Sequence, residues 1–127
     1  MTFDTRHKII TLDQARDLAR EVPPAVAFVS HLEVLRAGHV RKLEDLAARH
    51  PGKLYVLLTE PEAPLVPLDA RAEVTAGLRV VDYVVPCPEG PGPALAALHA
   101  GVTVHDEEED RGRTRSLVEH VRSRSRI

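Results

Sequence analysis

The stretch Ala25-Val-Ala-Phe-Val-Ser-His-Leu-Glu-Val-Leu-Arg-Ala-Gly-His-Val40 decides the fold. From Ala25 to Ser30 it is an unbroken run of apolar and small side chains. Successive strand residues face opposite sides of a sheet, so such a run suits a strand covered on both faces, as in a parallel sheet. His31 to Ala37 reads as a loop. Gly38 opens a helix whose buried stripe is Val40, Leu43, Leu46 and Ala47. A helix N-terminus just beyond a strand presents unpaired amides and partial positive charge, which suits a phosphate. Gly38 lets the backbone come close to a ligand. Arg36 and His39 add two hydrogen-bonding or cationic side chains at the same opening.

Outward from this turn the pattern repeats. Thr11-Leu-Asp-Gln14 has the form of a capping box, and Leu12, Ala15, Leu18 and Ala19 share one face of a helix that ends near Val22, before Pro23-Pro24. Pro51-Gly52 closes the second helix, and Lys53 to Leu58 is the second strand. Glu60 to Pro67, with three prolines, is loop. Leu68 to Leu78 reads as a third helix, with Asp69 as its cap and Arg71, Val74 and Leu78 at helical spacings. Val80 to Val85 is the third strand, Pro86 to Pro93 a connection, Ala94 to Ala100 a short helix and Gly101 to Val104 a short strand. Asp106 to Asp110 reads as a solvated acidic loop, and Thr114 to Arg122 as a last helix. The expected fold is therefore α/β: a Rossmann-like, doubly wound parallel sheet of about four or five strands with helices on both faces. Such sheets bind ligands beyond the carboxyl ends of their strands, where the strand order reverses.

Composition narrows the partners. The 127 residues suit one domain, 1–127, with a real core. A net charge of −2 gives no general attraction to nucleic acid or to anionic membranes, and 3% aromatics without tryptophan offer no platform for stacked bases. No apolar run reaches the length of a membrane span, and Met1 to Lys8 has no apolar signal core. The single cysteine, Cys87, excludes an intrachain disulfide and fits a reducing, cytoplasmic setting. It lies among prolines with no histidine nearby in sequence, so a catalytic thiol is not expected.

Leu35, Gly38, His39, Leu43 and Ala47, followed by Arg71 and Val81-Asp82, carry a family resemblance. The chain from about Lys8 to Val85 resembles the nucleotidyltransferases with an H-x-G-H signature. Within them it is most similar to the cytidylyltransferase-like branch that includes glycerol-3-phosphate cytidylyltransferase and heptose-phosphate nucleotidyltransferase domains. The resemblance implies transfer of a nucleotidyl group from CTP or ATP to a small phosphorylated alcohol or sugar. Mg²⁺ would accompany the nucleotide, held mainly by phosphates. It implies His39 and Arg36 as catalytic groups, Ser30, His31, Gly38, His39, Arg71 and Thr114 as nucleotide or phosphate contacts, no protein-held metal, and a homodimer among the expected states. The reaction would be mostly positioning and charge stabilisation.

The departures from that signature are specific. Arg36 stands at the first histidine, Ser30 at the glycine that ends the first strand, and Glu33 at the acidic position. Thr59 to Pro64 contains no lysine, and Gly112 to Ser116 keeps hydroxyls only at Thr114 and Ser116. These changes give a second expectation: a catalytically lapsed domain that keeps a nucleotide or phosphate site. A third is a ligand-free dimerisation domain. Read without the resemblance, His31 is a loop histidine, Glu33 a solvated carboxylate, Arg71 either a residue that holds the site together through a carboxylate or one that caps exposed helix surface, and Arg111, Arg113 and Arg115 either an anion cluster or a counterweight to the acidic run.

Overall fold

The computed structural model describes residues 4–107. Thr114, Ser116, the arginines from Arg111 onward and the expected last helix lie outside the described residues. After a short 3₁₀ turn, Thr5–Lys8, the elements are α1 (Leu12–Glu21), β1 (Ala25–Ser30), α2 (Ala37–Arg49), β2 (Lys53–Thr59), α3 (Leu68–Ala76), β3 (Tyr83–Cys87), α4 (Gly92–Leu98) and β4 (Val102–His105). The four strands form an all-parallel sheet in the order β3-β2-β1-β4. The fold is α/β, of the expected Rossmann-like kind.

Each boundary has a local cause. Thr11 Oγ1 accepts from the Gln14 amide while Gln14 Oε1 accepts from the Thr11 amide, so the capping box starts α1 as expected. All of β1 is buried, because helices cover both faces of the sheet. On one side Ala25, Ala27, Val29, Tyr55, Leu57 and Val85 pack under α1 and α4. On the other, Val26, Phe28, Leu54, Val56, Leu58 and Val84 meet Leu43 and Leu46 of α2 and Ala72 and Ala76 of α3.

Three expectations need correction. The third strand runs through Pro86 to Cys87 rather than ending at Val85. Proline lacks an amide donor, and β3 tolerates it because it is an edge strand among the described residues. Asp69 does not cap α3. Pro67 occupies that position, and Asp69 Oδ1 accepts from the adjacent Ala70 amide. Val74, expected at a helical spacing with Arg71, is 57% exposed, because α3 buries the small residues Ala72, Thr75 and Ala76 together with Arg71.

At the amino end of the sheet, Asp82 accepts from the Leu54 amide (2.8 Å) and donates its own amide to the Leu54 carbonyl (3.1 Å). Asp82 thus docks the approach to β3 onto β2. Gly52 makes the tight entry to β2 at a φ of 120°, and a Cβ there would stand 2.2 Å from the Pro24 carbonyl oxygen. Both the conformation and the contact demand glycine.

Gly52→Ala should therefore lower stability by about 2 kcal/mol or more, read by urea unfolding. A second expectation concerns alkali. Burial pushes the Tyr55 phenol from 10.0 to about 12, and burial with the nearby Glu107 charge pushes the Cys87 thiol from 9.0 to about 11. Both groups bind their protons more tightly in the folded chain, so their stabilising effect is full below about pH 9. It should drain away as pH rises from about 9 to 12, and a pH series of unfolding curves checks it.

Candidate functional site

The strand order reverses between β1 and β4, so the crevice beyond their carboxyl ends is the topological switch point of this sheet. Helix α2 starts at its edge. Arg36 is the N-cap residue, and its carbonyl accepts from the His39 amide at 3.0 Å. His39 Nδ1 in turn accepts from the Arg36 amide at 3.1 Å. This reciprocal pair does the work of a capping box with a histidine in the place of glutamate. It also assigns the tautomer: Nδ1 is an acceptor, so a neutral His39 carries its proton on Nε2.

His39 Nε2 lies 4.0 Å from Asp106 Oδ2. Asp106 follows β4 directly, and its amide continues the ladder by donating to the Val29 carbonyl at 2.8 Å. Its side chain is only 1% exposed, which corrects the reading of Asp106 as part of a solvated acidic loop. Lys42 Nζ, one turn beyond His39 on α2, reaches Asp106 Oδ1 at 2.5 Å, and Ser30 Oγ donates to Oδ2 at 3.4 Å. A buried carboxylate needs such partners, because an unpaired one costs several kcal/mol. Ser30, His39, Lys42 and Asp106 therefore form one cluster at the switch point. Sequence reading found Ser30 and His39. It missed Lys42, whose signal was its place three residues after His39 on α2. It also missed Asp106, whose partners lie 64 and 76 residues away in sequence.

Gly38 sits in the exposed first turn of α2, and among the described residues nothing lies within 4 Å of where its Cβ would be. Helix geometry leaves first-turn amides without intrahelical acceptors. At Gly38 this turn is open to solvent, while the His39 amide is already taken by the Arg36 carbonyl. The Arg36 backbone caps the helix, and its side chain is half-buried.

A second cluster lies on the β2 side of β1. His31 is 2% exposed, not a surface loop residue. Its Nδ1 is 2.8 Å from Thr59 Oγ1 and 3.3 Å from the Thr59 carbonyl. Thr59 Oγ1 donates to Glu107 Oε2 at 2.8 Å, so Glu107, next after Asp106, crosses the end of β1 to reach β2. Arg71, expected as a ligand contact, as a residue holding the site together through a carboxylate, or as a surface arginine, is 2% exposed and is committed to the protein, as the second of these readings has it. Its guanidinium donates to the carbonyls of Val66 (2.9 Å), His31 (2.7 Å) and Thr59 (2.9 Å), and it pairs with Glu60. Glu33 Oε2 accepts from the amides of Leu65 (2.7 Å) and Val66 (3.1 Å), which pins the connection after β2 against the loop after β1.

Among the described residues, no group of three or more histidine, cysteine, aspartate or glutamate side chains is arranged to hold a metal ion. No described helix is long and apolar enough to cross a membrane. No protein-family model matches the chain, and no curated protein matches it significantly.

Lysine has no planar fork and cannot serve three carbonyls and a carboxylate together. Arg71→Lys should therefore cost about 3 kcal/mol in urea unfolding, since it leaves buried carbonyls unpaired. A loss under about 1 kcal/mol would show that Arg71 is not the clamp described here.

Proposed function

We propose that this chain is a nucleotidyltransferase-like domain. It binds the triphosphate of CTP or ATP at the start of α2 and transfers the nucleotidyl group to a small phosphorylated alcohol or sugar. The observation that carries the reading is the juxtaposition of the open turn at Gly38 with the buried Nε2–H donor of His39, at the switch point of a parallel sheet. Backbone amides and the helix dipole would hold phosphate oxygens there. His39 Nε2–H would stabilise charge on the attacked phosphate, with Arg36 supplying positive charge and Ser30 at the base of the crevice. Arg71 would act by fixing the loops rather than by touching phosphate. The nearest carboxylate, Asp106, is held by Lys42, so Mg²⁺ would enter with the nucleotide and be carried mainly by its phosphates. The buried thiol of Cys87 fits a reducing, cytoplasmic setting.

One observation favours a second reading, a catalytically lapsed nucleotide- or phosphate-binding domain. The Asp106 carboxylate already faces His39 and Lys42. It supplies from within the protein the negative charge that a phosphate would otherwise bring.

Thermal stabilisation by Mg·CTP and Mg·ATP, followed by pyrophosphate release with glycerol 3-phosphate, separates these readings. The enzyme reading expects a shift of several degrees and release that falls about 100- to 1000-fold in His39→Ala. Stabilisation without release marks the lapsed domain, and no stabilisation by either nucleotide refutes both. Gly38→Ala is a sharper probe. In the free chain it should gain about 0.5–1 kcal/mol, because alanine is the better helix former and has room. It should nonetheless weaken nucleotide binding by putting a methyl group where phosphate would approach the backbone.

A further inference from the structure

His31, expected as a nucleotide or phosphate contact, is turned instead to Thr59, away from the start of α2. Its hydrogen bonds settle which nitrogen carries the proton. Thr59 Oγ1 spends its one proton on Glu107, so toward His31 it can only accept, and the Thr59 carbonyl can only accept as well. Nδ1 is therefore the protonated nitrogen. Nε2 is a bare lone pair, buried, with no hydrogen-bond partner among the described residues. His39 has the opposite tautomer, so the two histidines present one donor and one acceptor at the carboxyl end of β1.

A buried acceptor left unmade costs free energy, and native proteins seldom leave one without a reason. The backbone beside it is also unusual. Leu32 is not glycine, yet it holds a left-handed φ of 43°. It is kept there by its amide on Ser30 Oγ (3.3 Å) and by Arg71 on the preceding carbonyl (2.7 Å). Such strain concentrates at ligand-contacting positions.

We propose that His31 Nε2 is the specificity-determining acceptor of this site and receives a hydrogen bond from a hydroxyl of the acceptor substrate. The inference rests on the reading above for the class of ligand. Of the groups on a small phosphorylated alcohol, the phosphate dianion has no proton to give and would repel the lone pair, whereas the hydroxyl fits it. In the free chain Nε2 is enclosed, so a hydroxyl reaches it by displacing part of the 31–36 connection where Leu32 is strained. The selected substrates are thus phosphorylated polyols rather than simple alkyl phosphates, because a site built around a substrate hydroxyl rejects the analogue that lacks it.

The test is ¹⁵N NMR of the full chain with labelled histidine, free and with glycerol 3-phosphate or propyl phosphate, each with and without Mg·CTP. In the free protein, His31 should show a protonated Nδ1 and an unprotonated Nε2. Glycerol 3-phosphate should move the Nε2 resonance and bind about tenfold tighter than propyl phosphate, and His31→Leu should erase that preference. A proton on Nε2 in the free protein overturns the proposal. So does an equal response, or none, to the two phosphates, and these wild-type readouts stand even if His31→Leu does not fold. Stabilisation by Mg·CTP with His31 silent keeps the nucleotide reading and removes the hydroxyl contact. Movement of Nε2 by glycerol 3-phosphate without any nucleotide binding does the reverse.

Discussion

A buried guanidinium holds the carboxyl end of this sheet in place. The planar fork of Arg71 takes the ends of β1 and β2 by their carbonyls, at His31 and Thr59, and ties both to the 60–67 connection through Val66 and Glu60. A parallel sheet leaves the last carbonyls of its strands without ladder partners, and here they are also buried. Their donors must come from a side chain, and Arg71 is the one that α3 supplies. From this clamp follow the course of the 31–36 connection, the left-handed backbone at Leu32 and the position of His31.

The same economy of charge operates on the far side of β1. Asp106 is buried directly after β4, and α2 answers it with Lys42 and His39. The two clusters meet where Asp106 and Glu107 are adjacent in the chain, one turned to the α2 side and the other across to Thr59. The carboxyl end of the sheet is thus wired from β4 through β1 to β2 by side chains whose charges and tautomers are mutually fixed. At the amino end, Asp82 joins the approach to β3 to β2 with both its carboxylate and its amide on the Leu54 backbone.

Most of the fold was legible because its signals are local. The Thr11–Gln14 capping box, the double proline after Val22, the six-residue run of β1 and the helix opening at Gly38 each act within a few residues. The misreadings have a common physical origin. Val74 has the spacing of a core residue, but α3 lies close to the sheet and buries alanines. Pro86 looks like a strand breaker, yet an edge strand does not need its amide. Within the site, the start of α2 at Gly38 and His39 was legible as a strand-to-helix turn. Asp106 and His31 were not. An acidic run and a loop histidine look solvated until the fold brings up Lys42, Thr59 and Arg71 from distant sequence. Burial of charge is a tertiary property, and no local pattern encodes it.

The central claim is that the opening at the start of α2, between β1 and β4, is where this chain meets its ligand. A crystal structure grown with CTP and Mg²⁺ tests it most directly. The account predicts phosphate density against the Gly38 and His39 turn, with His39 Nε2 within hydrogen-bonding distance of a phosphate oxygen. Nucleotide bound instead in the apolar cleft of about 220 Å³ lined by Leu12, Cys87 and Ala94, with the α2 turn empty, would contradict it.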